Sequence, residues 1–318
     1  MSNKITVVIA LYKPNLKWLE EQIKSIDNQR NVNLEIIIWN DDPLNTIDYV
    51  FLLDKWIKKN KYKLYHSVKN MGSTAVFEKL TNLVETEYIA YCDQDDIWML
   101  DKIKILLDIM EKEKKALICS DMMVINKENK IISETIGKIR KRQRFPRKNN
   151  NYVKDLMIKN FVTGCTIVAK TEFAKKCVPF PKIFIHDWWL GINAAIENEL
   201  LIFRKPLIYY RIHEKNQTGI LKGIENKKDY YDKQIITFIK RINLCRKMFN
   251  NINIDYFYRF GLARKNWFEQ KSLKNFIKMI KFFNLDKEKN LFEIIIGIMP
   301  NKLFDKIIYF ITRRYTNE

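Results

Sequence analysis

The hydrophobic pattern in the first part of the chain alternates between continuous apolar runs and amphipathic stretches. The run KITVVIALYK (residues 4–13) is rich in β-branched side chains, as expected of a parallel strand that is buried on both faces. In the following PNLKWLEEQIKSIDNQ (14–29), apolar residues recur at helical spacing. Because this alternation continues along the chain, it predicts an open α/β sheet with right-handed helical crossovers.

Further strands and helices are predicted from the same two patterns. The strands are LEIIIWNDD (34–42), KYKLYHS (61–67), EYIAYCDQDD (87–96) and ALICSDMMVIN (116–126). The helices lie around 46–60, in NMGSTAVFEKLTNLVE (70–85), where a glycine-containing loop opens the helix, and from Ile97 to Glu111.

Beyond about residue 225 the strand pattern ends and helical periodicity replaces it. One apolar stripe consists of Ile235, Phe238, Ile239, Ile242, Cys245 and Phe249. Short basic amphipathic segments follow, among them SLKNFIKMIKFFNL (272–285) and KLFDKIIYFITRRY (302–315). We therefore predict an α/β domain over residues 1–222 and a basic helical region over 223–318.

Composition adds a compartment to this picture. The first residues do not follow the pattern of a signal peptide, and no uninterrupted apolar stretch approaches the ~20 residues that a membrane-spanning helix needs. The five cysteines are scattered and never spaced as C-x-x-C, which favours reduced thiols over disulfides or a zinc site. We therefore expect a cytoplasmic protein.

The formal net charge of +20 favours a polyanionic partner, such as a nucleotide-diphosphate substrate, an anionic membrane surface or nucleic acid. Residues 138–159 carry nine Lys/Arg against one Asp, and residues 222–318 carry 21 Lys/Arg against 10 Asp/Glu. Solvated helix faces would account for part of this surplus. Since helix-turn-helix, zinc-finger and RNP-type signatures are absent from the sequence, nucleic acid is disfavoured.

The stretch CDQDD (92–96) places three carboxylates and an amide directly after a predicted buried strand. Neighbouring carboxylates repel one another and are costly to bury without cations or hydrogen-bond donors. Hard cations such as Mg²⁺ or Mn²⁺ prefer carboxylate oxygens and are often shared with substrate phosphates. Two hypotheses follow: a site for a divalent cation and a nucleotide diphosphate, or an Asp-rich turn that caps the next helix.

Polar residues at other predicted strand ends favour the first hypothesis. In open α/β sheets, ligands bind beyond the carboxyl ends of the strands, and Tyr12, Asp41, Asp42, Asp93 and Asp95 all fall there. The Walker and G-x-G-x-x-G phosphate loops are absent from the sequence, which disfavours a P-loop NTPase or a dinucleotide-binding enzyme.

With these residues in place, the sequence resembles the family 2 glycosyltransferases of the GT-A fold, especially their bacterial rhamnosyltransferase-like branch. The resemblance covers roughly residues 4–219. It rests on seven motifs in the family's order: VVIALYKP, IIWNDDP, KNMGSTAVFEKL, CDQDDIW, NFVTGCTIVAK, HDWWL and YYRIHEKNQTG. In the second motif Pro43 replaces the family's glycine, which leaves the role of Asp42 open. The resemblance implies a GT-A fold, with a mixed, mostly parallel, Rossmann-like sheet flanked by helices and a helical C-terminal appendage.

The resemblance also implies the residues that bind the donor. Ala10 and Tyr12 would border the base, Asp41 would accept a hydrogen bond from the N3–H of the base, and Asp93 would contact the ribose or the metal. The residues implied to bind the nucleotide are Ala10, Tyr12, Asp41, Asn70, Gly72 and Asp93. Those implied to bind a Mn²⁺ or Mg²⁺ ion are Asp93, Asp95 and His213. Arg211 and His213 would close over the diphosphate.

On the acceptor side, the resemblance makes Asp187 the general base that deprotonates the acceptor hydroxyl, and it places Gly164 in the neighbouring strand segment. Trp188 and Trp189 would stack on sugar rings and exclude water. A buried helix capped by Asp187, with both tryptophans in the core, is the alternative interpretation of HDWWL.

The implied function is an inverting, metal-dependent glycosyltransferase of bacterial surface-polysaccharide biosynthesis, with dTDP-rhamnose as the favoured donor and a lipid-linked saccharide as acceptor. Alternatives are transfer from a UDP-hexose or UDP-N-acetylhexosamine, or a non-catalytic scaffold that binds sugar or nucleotide. The basic C-terminal helices would attach the protein to the cytoplasmic face of an anionic membrane, or form a homodimer.

Overall fold

The computed structural model describes residues 4–147, 151–214, 216, 221, 223–249 and 253–314, without the side chains of 311–314. The chain forms two compact units, Met1–Ile212 and His213–Glu318. This division precedes the predicted boundary at residue 222, and most of the positions between the two lie outside the described residues.

Nine strands and fourteen α-helices are assigned within the described residues. The strands are β1 (Lys4–Leu11), β2 (Asn33–Asn40), β3 (Lys61–His66), β4 (Tyr88–Cys92), β5 (Ile97–Trp98), β6 (Leu117–Ile125), β7 (Ile131–Ser133), β8 (Ile167–Lys170) and β9 (Leu200–Arg211). The helices of the first unit are α1 (Leu16–Asp27), α2 (Tyr49–Trp56), α3 (Ser73–Leu83), α4 (Lys102–Glu113), α5 (Ile136–Ile139), α6 (Tyr152–Ile158), α7 (Thr171–Lys176) and α8 (His186–Ile196). Those of the second unit are α9 (Lys227–Tyr230), α10 (Thr237–Met248), α11 (Asp255–Glu269), α12 (Leu273–Lys281), α13 (Lys287–Ile298) and α14 (Asn301–Arg314).

The predicted α/β sheet is confirmed. Its strand order is β3-β2-β1-β4-β8-β6-β9-β5, with β7 paired to β6. Strands β3, β2, β1 and β4 are parallel, and β8 runs antiparallel to β4 and β6. Leu11 at the end of β1 pairs with Asn40 of β2, and Ile9 of β1 pairs with Cys92 of β4. This register brings the residues that follow β1, β2 and β4 to one edge of the sheet.

The helix predicted from Ile97 to Glu111 begins later than expected. Ile97 and Trp98 form the short strand β5, paired antiparallel with β9, and the helix α4 starts at Lys102. The backbone groups of Ile97 and Trp98 are therefore used in the sheet, which the apolar pattern alone did not indicate. The acidic stretch 93–96 thus precedes a strand and does not cap α4, so the capping hypothesis was wrong.

The second unit is helical, as predicted. A segment of π-helix, Tyr231–Ile236, joins α9 to α10, and the predicted stripe faces the interior: Ile235, Phe238, Ile242 and Cys245 are buried. The guanidinium of Arg264 on α11 and the carboxylate of Glu293 on α13 form a fully buried ion pair at 2.6 Å. Among the described residues, none of the helices is both long and apolar enough to cross a membrane.

We expect Glu293→Gln to lower the free energy of unfolding by about 3–5 kcal/mol, because it leaves the buried guanidinium of Arg264 without a countercharge. Urea unfolding followed by circular dichroism would measure this loss. The control is Asp255→Asn, which removes the solvent-exposed pair between Arg246 and Asp255 (2.7 Å) and should change the stability little. Equal losses in the two variants would contradict the structural role of the buried pair.

Candidate active site

The loops that follow β1 and β4 are joined by a side chain that the sequence did not single out as a site residue. The amide of Gln94 accepts a hydrogen bond from the backbone N–H of Tyr12 (2.9 Å) and donates one to the carbonyl oxygen of Tyr12 (3.1 Å). Ala10, near the end of β1, is half-buried, and the side chain of Tyr12 is exposed. The pair fixes the backbone of the 93–96 turn against the end of β1, where the base is predicted to bind.

The carboxylate of Asp41 organises the loop before α3. Its oxygens accept hydrogen bonds from the hydroxyl of Ser67 (2.6 Å) and the backbone N–H groups of Met71 (3.0 Å) and Gly72 (2.9 Å). Asn70 donates its side-chain amide to the carbonyl oxygen of Asp41 (3.2 Å). Gly72 directly precedes α3. It has φ +81°, a left-handed conformation that glycine adopts without strain. The carboxylate of Asp41 is buried and already stabilises this loop. Its predicted hydrogen bond to a base stays a prediction.

The acidic turn brings together a different group from the predicted metal set. Ligand atoms of Asp93, Asp96 and Cys165 all lie within 4.8 Å of one another. Asp96 is fully buried and accepts the backbone N–H of Arg211 (2.9 Å). Burial, with repulsion from Asp95 and Asp187, raises the pKa of Asp93 to about 7. Asp187 lies next to this group, because its carboxylate accepts the backbone N–H of Gly164, the residue before Cys165.

The side chains of the acidic turn can be compared with the ligands that a hard divalent cation prefers. Mg²⁺ and Mn²⁺ take carboxylate oxygens, and the half-buried Asp93 and Asp95 supply them at a strand end. The thiol of Cys165 does not fit, because burial raises its pKa well above the usual value and keeps it neutral. A cation would also relieve the repulsion that raises the pKa of Asp93. Carboxylate oxygens at this turn therefore fit a hard cation and the Cys165 thiol does not, and the predicted ligand roles of Asp93 and Asp95 stay predictions.

A buried lysine lies beneath this acidic cluster. The side-chain nitrogen of Lys102, at the start of α4, donates to the carbonyl oxygen of Cys165 (2.7 Å) and lies 3.2 Å from the ring centroid of Trp98. Burial lowers the pKa of Lys102 to about 7, while the nearby carboxylates of Asp96 and Asp93 oppose this shift. Lys102 therefore holds the 164–165 turn and partly offsets the negative charge of the cluster.

Asp187 lies in the first turn of α8, opposite the 164–166 turn. One of its carboxylate oxygens accepts the side-chain amide of Asn160 (3.0 Å), and the other accepts the backbone N–H of Gly164 (2.9 Å). Burial raises the pKa of Asp187 to about 7, although both donors favour the charged form. A carboxylate that is fixed in position and half-ionised near neutral pH has the properties of a general base.

Gly164 allows the close contact between this turn and α8. A Cβ atom at position 164 would lie 2.6 Å from Nε2 of His186 and 3.7 Å from Cβ of Asp187. The His186 ring packs on Phe77 with centroids 4.0 Å apart, and burial lowers the pKa of His186 to about 3. His186 is therefore a neutral core residue. Because glycine lacks a Cβ atom, position 164 can approach α8 closely and its backbone N–H reaches Asp187.

The two predicted sugar-stacking tryptophans occupy different environments. Trp189 is 1% exposed and donates its indole N–H to the carbonyl oxygen of Cys177 (2.9 Å), so it belongs to the core, as in the alternative interpretation of the motif. Trp188 is half-buried and donates to the carbonyl oxygen of Leu156 (2.7 Å). Of the pair, Trp188 alone has surface left for a sugar.

Arg211 is placed where it braces the acidic turn. It is the last residue of β9 and is fully buried. Its guanidinium donates to the carbonyl oxygens of Asp95 (2.8 Å) and Asn126 (3.2 Å), to the side chain of Asn129, and to the carboxylate of Glu21 (2.7 Å). These contacts use the guanidinium of Arg211 to hold the backbone at Asp95 in place. They do not favour the predicted closure of Arg211 over the diphosphate.

His213 begins the second unit. Its backbone N–H donates to the side-chain oxygen of Asn216 (2.7 Å), and its ring nitrogen Nε2 lies 3.3 Å from the side-chain nitrogen of Asn216. Its predicted roles at the metal and the diphosphate stay predictions. Four other residues of its motif, 215 and 217–219, lie outside the described residues.

Known proteins resemble this chain in both sequence and fold. The sequence model of "Glycosyl transferase family 2" matches residues 6–174. The dTDP-rhamnosyl transferase RfbG of Shigella flexneri is 30% identical over 217 residues, which are 64% of this chain and 71% of that protein. The Escherichia coli protein WfgD is named a UDP-Glc:alpha-D-GlcNAc-diphosphoundecaprenol beta-1,3-glucosyltransferase. It is 21% identical over 182 residues, or 57% of this chain and 66% of its own.

Among solved structures, residues 1–349 of TarS from S. aureus in complex with UDP-GlcNAc superpose with a TM-score of 0.58 and 13% identity. The match covers 89% of this chain and 80% of that one. This likeness concerns the fold, and it confirms the predicted GT-A architecture.

Proposed function

Because the chain belongs to glycosyl transferase family 2, we propose that it moves a sugar from a nucleotide-diphosphate donor to a hydroxyl group of a saccharide acceptor, with inversion at the anomeric carbon. The observation that carries this proposal is the pairing of two carboxylates in different roles. Asp93 belongs to an acidic cluster at the carboxyl edge of the sheet that also includes Cys165, and Asp187 is held beside this segment by Asn160 and by the backbone N–H of Gly164.

In the proposed reaction, the acceptor oxygen forms a bond to the anomeric carbon of the donor as the bond from that carbon to the diphosphate breaks. The acceptor proton passes to a carboxylate oxygen of Asp187, and the nucleoside diphosphate leaves with the bond's electron pair. One base and one displacement produce inversion. A divalent cation held by Asp93 and Asp95 would neutralise charge on the departing diphosphate.

For the donor we favour dTDP-rhamnose, since the relative RfbG is named a dTDP-rhamnosyl transferase. UDP-hexoses and UDP-N-acetylhexosamines are the second candidates, because WfgD is named for UDP-Glc and TarS was solved with UDP-GlcNAc. The acceptor named for WfgD carries its sugar on diphosphoundecaprenol. By this likeness we propose a lipid-linked saccharide acceptor in bacterial surface-polysaccharide synthesis, at the cytoplasmic face of the membrane.

A donor panel tests the proposal. The protein is incubated with dTDP-rhamnose, UDP-glucose, UDP-GlcNAc and related donors in the presence of Mg²⁺ or Mn²⁺, and the release of nucleoside diphosphate is measured. We expect slow hydrolysis of one donor without acceptor and faster release with a matching acceptor. Binding of a donor without any turnover, in the wild-type protein with both cations, would instead support the non-catalytic scaffold.

We expect the rate of transfer to rise with pH and to level off above about pH 7. Only the deprotonated carboxylate accepts a proton, so each pH unit below the Asp187 pKa of about 7 should lower the rate about tenfold. Asp93, whose pKa is also raised to about 7, titrates in the same range. Rates are therefore measured at saturating divalent cation, which keeps Asp93 ionised. A flat profile between about pH 5 and pH 8 would contradict the assignment of Asp187 as base.

A further inference from the structure

The last three helices of the second unit each combine a buried face with an exposed apolar face. On α12 the exposed residues are Leu273, Ile277 and Ile280, and on α13 they are Leu291, Ile295 and Ile298, both at i, i+4, i+7 spacing. On α14 they are Leu303, Tyr309 and Phe310. These nine side chains, which we call the outer apolar stripes, are between 46% and 75% exposed.

The opposite faces of these helices are already used by the core, so the outer stripes are additional to it. Met279 of α12 packs with Ala263 and Trp267 of α11, and Phe304 and Ile308 of α14 are buried in a second cluster. Single exposed apolar residues are ordinary, whereas exposed apolar rows are typical of interaction sites, and here each of three successive helices carries one.

Lysines on the same exposed faces indicate the partner. Exposed Lys274 and Lys281 lie on one side of the stripe of α12, and exposed Lys302 and Lys306 lie beside the stripe of α14. Residues 271–314 contain 10 Lys/Arg and 4 Asp/Glu, and one of the four, Glu293, is neutralised in the core by Arg264. Since lysine is depleted in protein–protein interfaces and like charges would meet in a symmetric dimer, this surface suits an anionic lipid headgroup region better than a second copy of the chain.

We propose that the outer apolar stripes form an in-plane attachment surface for anionic membranes, with the leucine, isoleucine and aromatic side chains at the headgroup–acyl boundary and the lysines on lipid phosphates. The helices have 9, 12 and 14 residues, which suits a position along the interface. Tyr309 is of the type enriched at membrane interfaces, and Phe310 is typical of the apolar face of interfacial helices. The proposal deepens the proposed function, since a lipid-linked acceptor resides on such a surface, but the attachment itself does not depend on catalysis.

Sedimentation of the full chain with vesicles tests the proposal without donor or acceptor. Vesicles of phosphatidylglycerol and phosphatidylcholine are compared with pure phosphatidylcholine at low and at high salt. We expect binding to the anionic vesicles that falls as salt increases, because basic residues contribute through screened attraction. Absence of binding at low salt, or equal binding to both vesicle types, would overturn the proposal.

Two variants separate the stripes from a general effect of apolar surface. The triple variant Leu273→Ser, Ile277→Ser, Ile280→Ser should weaken partitioning by at least about tenfold, because three side chains that would leave water are replaced. The matched control, Val50→Ser with Phe51→Ser, removes two exposed apolar side chains from α2 in the first unit and should bind like the wild type. Circular dichroism and thermal unfolding verify that both variants are folded.

The oligomeric state and a soluble activity assay give the remaining outcomes. A wild-type monomer in sedimentation velocity supports the proposal. A dimer that the triple variant dissociates, with unchanged vesicle binding, would overturn it and make the stripes a dimer interface. Donor hydrolysis in the absence of vesicles should be unchanged in the triple variant. Failure of membrane binding is thereby distinguished from failure of the proposed function, which would appear as no turnover in any variant.

Discussion

Asp187→Asn is expected to lower the rate of sugar transfer by about 10²–10⁴-fold, which is the usual contribution of a positioned general base. Asparagine has nearly the same size and can accept one of the two hydrogen bonds, from Asn160 or from the N–H of Gly164, through its single side-chain oxygen. It cannot take the proton of the acceptor hydroxyl. Donor affinity and the cation requirement should stay near the wild-type values, because the variant removes an interaction that matters in the transition state.

Asp108→Asn is the matched control for this substitution. Asp108 is an exposed carboxylate on α4 that forms an ion pair with Lys104, and it is not part of the acidic cluster. Its amide variant should therefore transfer sugar at the wild-type rate. If Asp187→Asn transferred at close to the wild-type rate, Asp187 would only be part of the α8 turn.

Asp93→Asn is expected to weaken the cation-dependent binding of the nucleotide diphosphate by at least about 10–100-fold, since losing even a residue that only orients a metal ligand costs that much. Asp95→Asn should act in the same direction. Titration calorimetry with nucleoside diphosphate, with and without Mn²⁺, measures the effect. Because Asp93 and Asp95 are half-buried at the sheet edge, both variants should keep the wild-type fold.

Asp96→Asn distinguishes a ligand role from a structural one within the same stretch. Asp96 is fully buried, and its carboxylate accepts the backbone N–H of Arg211. We expect its substitution to lower the thermal stability more than the substitutions of Asp93 and Asp95 do. Wild-type turnover that persists under strong chelation would contradict the cation requirement altogether.

The sheet and the position of the site could be predicted from the sequence because both depend on local patterns. Apolar or alternating runs identified the parallel strands β1, β2, β3 and β4, and the carboxylates that follow β2 and β4 were expected to meet at one edge of the sheet. Asp93 was predicted as a site residue in this way, whereas Asp187 was predicted through the family resemblance. Strand β8 lies beside β4, so the turn before β8, which contacts Asp187, lies near Asp93 at the end of β4.

Partners that come from distant parts of the chain could not be predicted. Gln94 contacts Tyr12 across 82 positions, and Asn160 contacts Asp187 across 27, and neither pairing leaves a periodic signal. The role of Cys165 beside Asp93 and Asp96 also depends on tertiary packing. The amide of Gln94 between two carboxylates in CDQDD is the local feature that indicates a role for this residue.

Arg211 and Trp189 illustrate a second limit, which concerns burial. An arginine after an apolar strand is expected at the surface, because a buried guanidinium needs several acceptors. Here Glu21, Asn126, Asn129 and the carbonyl of Asp95 provide them, all from other elements. Trp189 likewise has its indole N–H satisfied by Cys177 in the core. Such acceptors become visible only when the chain is folded.

The anomeric configuration of the product tests the central claim most directly. The wild-type protein is supplied with the donor identified in the panel and a saccharide acceptor, and the glycosidic product is examined by NMR. A single displacement assisted by Asp187 predicts a new glycosidic bond whose anomeric configuration is opposite to that of the donor. A product with the donor's configuration, or free sugar as the sole product when a matching acceptor is present, would contradict the account.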